Sequence, residues 1–268
     1  MSDFFCTFVA DFVRTQNERT HVCKKEMKIA IIGYGKMGHM IEEVALERGH
    51  KIVARIDAGD VFDLRDADVA IEFTTPATAK DNILRAWAQG VPVISGSTGW
   101  NVAFSNEIAK VHTTPLNGEA THASALPKNW KFSGTPNKVE VRDETGKVML
   151  VWSSNYSVGV NITFELNKIL AQMMSTQPQY TPSIKEIHHI HKLDKPSGTA
   201  KTLAKDIEDL RLKIDDLKIE SIREGEVPGT HIVTWDSEED TIVLTHIAKG
   251  RRGFALGAVL AAEEILNI

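Results

Sequence analysis

The sequence predicts an α/β protein in which a doubly wound parallel sheet is followed by a second, α+β domain with an open mixed sheet. Three observations carry that expectation. Short β-branched runs alternate with amphipathic helical stretches from Met27 to about residue 100. The pattern Gly33-Tyr34-Gly35-Lys36-Met37-Gly38 sits at the first strand-to-helix junction. In the second half, strands joined by short turns replace the alternation.

Lys28 to Ile32 has the composition of a buried parallel strand and ends at Gly33. A helix is expected next, with Met37, Ile41, Val44 and Ala45 on one face and Gly49 as a left-handed cap. Lys51 to Ile56 reads as the second strand, closing on Asp57, and Val69 to Phe73 as the third. Ala79, Ile83, Ala86 and Trp87 mark the next helix face, Gly90 its end, and Val91 to Ser95 a fourth strand. Residues 112–138, rich in Thr, Pro, Asn, Gly and Ser, carry no period and suggest a surface insertion spanning about 101–138, with order resuming near Val139. Asn161 to Met174 is expected to be a helix whose apolar stripe is Ile162, Leu166, Ile169, Leu170 and Met173. Ile184 to Ile190 reads as extended, Thr199 to Leu212 as helical, and Ile232 to Trp235 with Thr241 to Leu244 as two strands joined by an acidic turn. Phe254 to Leu266 is an apolar helix suited to covering the first domain. The expected division is 1–26 as an extension outside the core, 27–155 for the dinucleotide domain, 156–249 for a substrate and oligomerisation domain, and 250–268 as the returning helix.

Of 268 residues, 42% are hydrophobic and 25% charged, which is the composition of an ordinary globular chain. The net charge of −5 offers no general positive field for nucleic acid or anionic lipid, so small-molecule chemistry is expected. No apolar stretch approaches the roughly 20 residues of a membrane-spanning helix. Cys6 and Cys23 both precede Met27, which leaves the body without a disulfide framework and fits a reducing cytoplasm.

The glycine pattern gains force from its place between strand and helix. There the first glycine permits a tight turn, the second allows a pyrophosphate to approach the backbone, and the third lets helix pack on strand. The helix N-terminus adds free N–H groups and the positive end of its dipole, and a carboxylate at Asp57 suits an adenosine ribose. The resulting Rossmann-like domain calls for NADH or NADPH. Asp57 disfavours a 2′-phosphate and Arg55 favours one, so the choice stays open. Phe73-Thr74-Thr75-Pro76 and Gly96-Ser97-Thr98-Gly99 fall at strand carboxyl ends, where ligands bind in open α/β sheets.

The densest chemical signal runs from Glu186-Ile187-His188-His189-Ile190-His191-Lys192 to Ser197-Gly198-Thr199-Ala200. Histidines and a lysine precede a helix N-terminus able to hold a carboxylate, which suggests an anion-reading acid–base site. A zinc site is the rival. It lacks an HExxH pattern, and one strand sends His188 and His189 to opposite faces, so no metal is expected.

The segment from His188 to Thr199 resembles the signature of the 4-hydroxy-tetrahydrodipicolinate reductase family, also called dihydrodipicolinate reductase, of the diaminopimelate route to lysine. The likeness extends over Gly33 to Gly38, Gly96 to Gly99, Ser154 to Asn161, Arg223 to His231 and Gly250 to Gly257, nearly the whole chain after Met27. The resemblance implies that His188 is the acid protonating the substrate ring and that Lys192 is catalytic beside it. It further implies that His189, Ser197, Gly198 and Thr199 bind a dicarboxylate substrate. Gly33, Lys36, Met37, Gly38, Asp57, Phe73, Thr74, Gly96 and Thr98 would hold the cofactor, with Asn155 and Tyr156 at the hinge and Arg251 nearby. It also implies pairing of the second domain's sheets in a homotetramer. Two departures are the residues before Met27 and a longer connection between Gly96 and Asn155 than the family uses. The competing expectations are another two-domain amino-acid or sugar dehydrogenase and a non-catalytic NAD(H) sensor.

Overall fold

The computed structural model describes residues 26–100, 131–135, 138–210 and 217–266; the expected extension up to residue 25, with both cysteines, and residues 101–130 of the expected insertion lie outside them. Among the described residues, one compact unit holds Ser157–Gly253, and the other holds the residues up to Tyr156 together with those from Phe254 onward.

The second of these units contains β1 (Lys28–Ile32), α1 (Lys36–Glu47), β2 (Lys51–Ile56), β3 (Val69–Glu72), α2 (Ala79–Trp87), β4 (Val93–Ser95), β5 (Lys131–Thr135), β6 (Lys138–Arg142) and β7 (Val148–Ser153). Its sheet runs β2-β1-β3-β4-β7-β6-β5. Pairing is parallel from β2 to β7 and antiparallel in the closing β7-β6-β5 segment. Alternation along β1 divides the core. Ala30 and Ile32 pack with Ala79, Ile83, Ala86 and Trp87 of α2. Ile29 and Ile31 pack with Ile41, Val44 and Ala45 of α1, and with Ala255, Ala258, Val259 and Ala262 of α5 (Arg252–Ile265).

A buried ion cluster ties α5 to this unit. Arg48 donates to Glu263 through Nε at 2.6 Å and Nη2 at 2.7 Å, and the His50 Nε2 lies 2.9 Å from the same carboxylate. The Met27 N–H donates to His50 Nδ1 at 3.3 Å, which leaves the ring proton on Nε2, facing Glu263.

The unit Ser157–Gly253 contains α3 (Val158–Met174), β8 (Thr181–His188), α4 (Gly198–Glu208), β9 (Lys218–Arg223), β10 (Thr230–Asp236) and β11 (Thr241–Ile247). Its sheet, ordered β11-β10-β8-β9, is mixed: β10 is antiparallel to β11 and β8, and β9 is parallel to β8. Both helices start on serine caps. Ser157 accepts the Val160 N–H, and Ser197 accepts the Ala200 N–H at 3.1 Å. Val160, Phe164, Ala171, Leu203, Ile207, Ile184, Val233 and Trp235 form the core between helices and sheet.

The α/β class and the doubly wound sheet agree with the sequence expectation, and three local differences are instructive. The stripe expected to be buried on α3 is largely exposed, with Leu166, Ile169 and Met173 at 47%, 56% and 65% exposure. The buried face instead carries Thr163 and Asn167. The Thr163 hydroxyl donates to the Gly159 carbonyl at 2.8 Å, and the Asn167 amide donates to the Leu203 carbonyl at 3.0 Å. Once satisfied in this way, polar residues can occupy a face that hydrophobic periodicity assigns to solvent. The strand β5 falls inside the span read as insertion, since ladder pairing with β6 supplies what its Lys-Phe-Ser-Gly-Thr composition does not. The helix α4 ends at Glu208, before the expected end, and residues 211–212 of that expectation lie outside the described residues.

Breaking a buried ion pair from one side costs about 3–5 kcal/mol. Glu263→Ala should therefore lower the urea unfolding free energy by about that amount. An unchanged midpoint would show that the cluster does not anchor α5.

Candidate active site

The glycine turn is built by close approach. Gly33 has a φ of 92°, and a β-carbon there would lie 2.3 Å from the Phe73 carbonyl oxygen and 2.8 Å from Thr74 Cγ2. Gly38 lies against Gly33, and Gly96 against the Phe73 ring, so Gly33, Gly38, Phe73, Thr74 and Gly96 gather in one place. Gly35 faces open space and caps α1 without any side-chain hydrogen bond, leaving Lys36 and Met37 in an N-terminal turn whose amides are open to an anion. The Gly33 N–H donates to the Ile56 carbonyl at 2.8 Å, which brings Asp57 beside this turn. The backbone and side chains here fit a dinucleotide pyrophosphate and ribose. Arg55 is committed to Glu42, with Nε 3.0 Å from the carboxylate, and its guanidinium lies 5.8 Å from the centre of the Tyr34 ring, whose hydroxyl also donates to Glu42.

A residue the sequence reading passed over organises the adjacent loops. Glu72 is fully buried at the end of β3 and accepts from the Thr74 N–H at 2.9 Å, the Thr74 hydroxyl, the Ser95 hydroxyl at 2.5 Å and the Ser97 hydroxyl at 2.8 Å. One carboxylate thereby fixes the loop of Phe73 and Thr74 to that of Gly96, and the exposed Thr98 follows Ser97. Tyr156 is buried, and its hydroxyl is shared between the carbonyls of Ser95 at 3.0 Å and Val151 at 2.8 Å. Asn155 is half-buried beside it, and its N–H donates to the Ser153 hydroxyl at 3.2 Å.

In the unit Ser157–Gly253, strand geometry assembles a second cluster of polar groups. Glu186 and His188 are two apart on β8 and share a face, while His231 of β10 pairs directly opposite Glu186. All three are buried. The Ser197 N–H donates to Glu186 Oε1 at 3.0 Å, and Arg223 Nη2 donates to the same oxygen at 3.1 Å. Burial pushes the Glu186 carboxyl up, but hydrogen bonds from Ser197 and Arg223 outweigh it and hold the group below its usual range. The other oxygen, Oε2, stands 3.3 Å from His188 Nδ1. Burial pulls the His188 imidazole below its usual value, against the opposing pull of Glu186 and with help from Lys192 and Arg223. Burial, reinforced by His188, pushes His231 down to about 3, so its ring is neutral where it meets the Ser197 hydroxyl at 3.2 Å.

Lys192 and His189 follow β8. Lys192 Nζ lies 2.7 Å from Asp194, and His189 is half-buried with its ring 6.0 Å from that of His191. Burial pushes Asp194 up; Lys192 outweighs this, with the Gly198 N–H assisting, and the carboxyl sits below its usual value. Gly198 and Thr199 form the first turn of α4 behind the Ser197 cap. Arg251 is exposed immediately before α5.

Gly229 guards the other edge of His188. Its φ is 153°, and a β-carbon there would lie 3.1 Å from His188 Nε2 and 3.3 Å from Cδ2. Gly229→Ala should destabilise the protein by about 1–3 kcal/mol through strain and crowding, and should shift the His188 imidazole resonances. Unmoved resonances would mean that the residue does not shape the space at Nε2.

Residues 27–117 match the family model described as dihydrodipicolinate reductase, N-terminus, and residues 159–267 the one described as its C-terminus. A curated 4-hydroxy-tetrahydrodipicolinate reductase from Christiangramia forsetii is 40% identical over 252 residues, covering 88% of this chain and 91% of the relative. Another from Staphylococcus aureus is 31% identical over 269 residues, 90% of this chain and 95% of its own. Among solved structures, a dipicolinate-bound dihydrodipicolinate reductase from Paenisporosarcina sp. TG-14 superposes with a TM-score of 0.63 at 18% identity, covering 91% of this chain and 96% of that one, a likeness of fold. With motif, fold and full-length relatives in agreement, the chain belongs to the 4-hydroxy-tetrahydrodipicolinate reductase family.

Proposed function

We infer that this chain reduces 4-hydroxy-tetrahydrodipicolinate to tetrahydrodipicolinate, with loss of water, in the diaminopimelate route to lysine, and that its two units divide the work. The observation that carries the division is the pair of buried carboxylates, Glu72 under the loops at the glycine turn and Glu186 under the histidine motif. When bound, NAD(P)H supplies the hydride. The open amides at Lys36 and Met37 hold its pyrophosphate, Gly33 and Gly38 let it approach, and Asp57 accepts from the ribose. Phe73, Thr74, Gly96 and Thr98, fixed through Glu72, shape the nicotinamide side. Tyr156 and Asn155 hold the end of β7 in place, and Arg251 adds positive charge.

In the other unit, the Glu186 carboxylate stands 3.3 Å from His188 Nδ1; its charge favours a proton on that nitrogen, which leaves Nε2 to face the substrate ring. Two incoming carboxylates raise the proton affinity of His188, which substrate-free protein keeps low through burial and Lys192. Protonation thus follows substrate binding, and the imidazolium delivers its proton once hydride has reached the ring. In the free protein Asp194 holds Lys192 and the Gly198 N–H; a substrate carboxylate takes over both, with Ser197, Thr199 and His189 completing its grip.

His188→Ala and Lys192→Ala should each lower turnover by about 10²- to 10⁴-fold, the range a positioned acid contributes. NADH affinity measured without substrate should stay level; a parallel loss of that affinity would assign the motif to the cofactor instead. Glu42 keeps Arg55 occupied and Asp57 adds a further carboxylate, which favours NADH over NADPH. Asp57→Ala should shift kcat/KM toward NADPH, and an unmoved ratio would remove Asp57 from the ribose site. The open face of the second sheet carries Val243 and Ile247 at 53% and 62% exposure, opposite the face covered by α3 and α4. Pairing of such faces makes a homotetramer. Light scattering at micromolar protein should give four times the chain mass, and a monomeric mass would contradict it.

A further inference from the structure

We propose that Glu186, His188 and His231 bind one divalent transition-metal ion of the zinc class, and that occupancy of this site blocks the reductase. The ion has no part in the reaction. The sequence reading set zinc aside because neighbouring histidines of one strand diverge; the structure supplies the missing ligand from the next strand. β8 contributes Glu186 and His188 to one face, and the β8–β10 register puts His231 opposite Glu186.

The distances suit a tetrahedral ion. One ligand atom from each residue lies within 4.8 Å of the others. With metal bonds of about 2.0–2.2 Å, two ligands of a tetrahedral zinc stand roughly 3.3–3.5 Å apart. Glu186 Oε2 and His188 Nδ1 are 3.3 Å apart, already at that spacing; Oε2 and His231 Nε2, 3.9 Å apart, have to close by a few tenths of an ångström, and the ligand atoms of the two histidines lie within 4.8 Å of each other. Glu186 is also polarised correctly. Its Oε1 takes both Ser197 and Arg223, while Oε2 faces the histidines.

Hydrogen bonding gives the second, independent observation. Glu186 Oε2 and His188 Nδ1 are both buried without a hydrogen-bond partner, and His231 Nε2 meets the Ser197 hydroxyl at 3.2 Å, a contact the ion would replace. Buried atoms left in that condition cost free energy that an ion would recover. Arg223 and Lys192 oppose a dication, which keeps the site weaker than a dedicated structural zinc centre and the ion exchangeable. Three protein ligands leave a fourth position for water or a substrate carboxylate. On binding, the neutral His188 ring changes tautomer: the proton leaves Nδ1 and one is taken up from solvent at Nε2, the freed Nδ1 electron pair goes to the metal, and the ring can no longer take on the second proton that would make it an imidazolium donor.

The test is a Co2+ titration of the metal-free, full-length protein. Visible absorption of the strength typical of four-coordinate Co2+ should saturate at one ion per chain, disappear on adding Zn2+, and be lost in Glu186→Gln, His231→Gln and His188→Gln. It should persist in His191→Gln, whose exposed ring meets Glu226. Far-UV circular dichroism establishes that each variant is folded, and the three ligand variants serve as independent checks should one fail. Weak absorption of the six-coordinate kind only, or the same spectrum in folded His231→Gln, overturns the site. The blocking consequence rests on His188 as the proton donor. Turnover that survives Zn2+ saturation would overturn that consequence while leaving the ion site intact, so the two failures are distinguishable.

Discussion

A fully buried carboxylate has to be surrounded by donors, and in the unit Ser157–Gly253 the requirement set by Glu186 organises everything near the chemistry. Desolvating an unpaired carboxylate costs several kcal/mol, so the chain must bring partners from different elements to one point. Ser197 comes from the start of α4 and Arg223 from the end of β9, both onto Oε1, while His188 and His231 of adjacent strands stand 3.3 and 3.9 Å from Oε2. The position of α4 relative to β8, and hence of Ser197, Gly198 and Thr199 relative to His188, follows from that single demand. Arg223 extends the tie by donating to the carbonyl of Lys192 at 3.2 Å, which fixes the loop carrying the lysine.

The other unit solves the same problem with neutral donors. Among the described residues Glu72 meets no cation; it accepts from three hydroxyls and a backbone N–H, those of Thr74 and Ser97 in the loops after β3 and β4 and that of Ser95 at the end of β4. Hydroxyls are short and have few rotamers, so each bond restrains the backbone beside it. A loop pair is held more firmly by such bonds than by surface contacts. The two carboxylates are thus built alike: one holds two loops beside the glycine turn, and the other gathers a helix start, a strand end and two histidines.

Much of this was visible in the sequence wherever physics is local. The glycine turn, the alternation of β1, and the α1 and α2 faces obey spacing rules, and Ile41, Val44, Ile83 and Trp87 are buried as those rules require. The motif around His188 was legible because its residues are neighbours in the chain. What stayed hidden depends on pairing between distant segments. His231 lies 43 positions from His188 yet approaches it to a ring separation of 5.0 Å, and only the β8–β10 register brings them together. Glu72 drew no reading at all, since nothing local reveals that Ser95 and Ser97 will reach it. On α3 the expected stripe of Leu166, Ile169 and Met173 is largely exposed, and Asn167 is buried where Leu203 supplies an acceptor for its amide. A run such as Lys-Phe-Ser-Gly-Thr becomes a strand only when a partner ladder is present.

The central claim is that Glu186 holds the Nδ1 side of His188 so that Nε2 faces the substrate. Nitrogen-15 spectra of histidine-labelled protein near neutral pH, with His188 assigned by comparison with His188→Gln, report which ring nitrogen carries the proton. The account predicts a neutral His188 ring protonated on Nδ1 in the substrate-free protein. A neutral ring protonated on Nε2 would contradict it, because the carboxylate would then have no proton to accept and no hold on the ring.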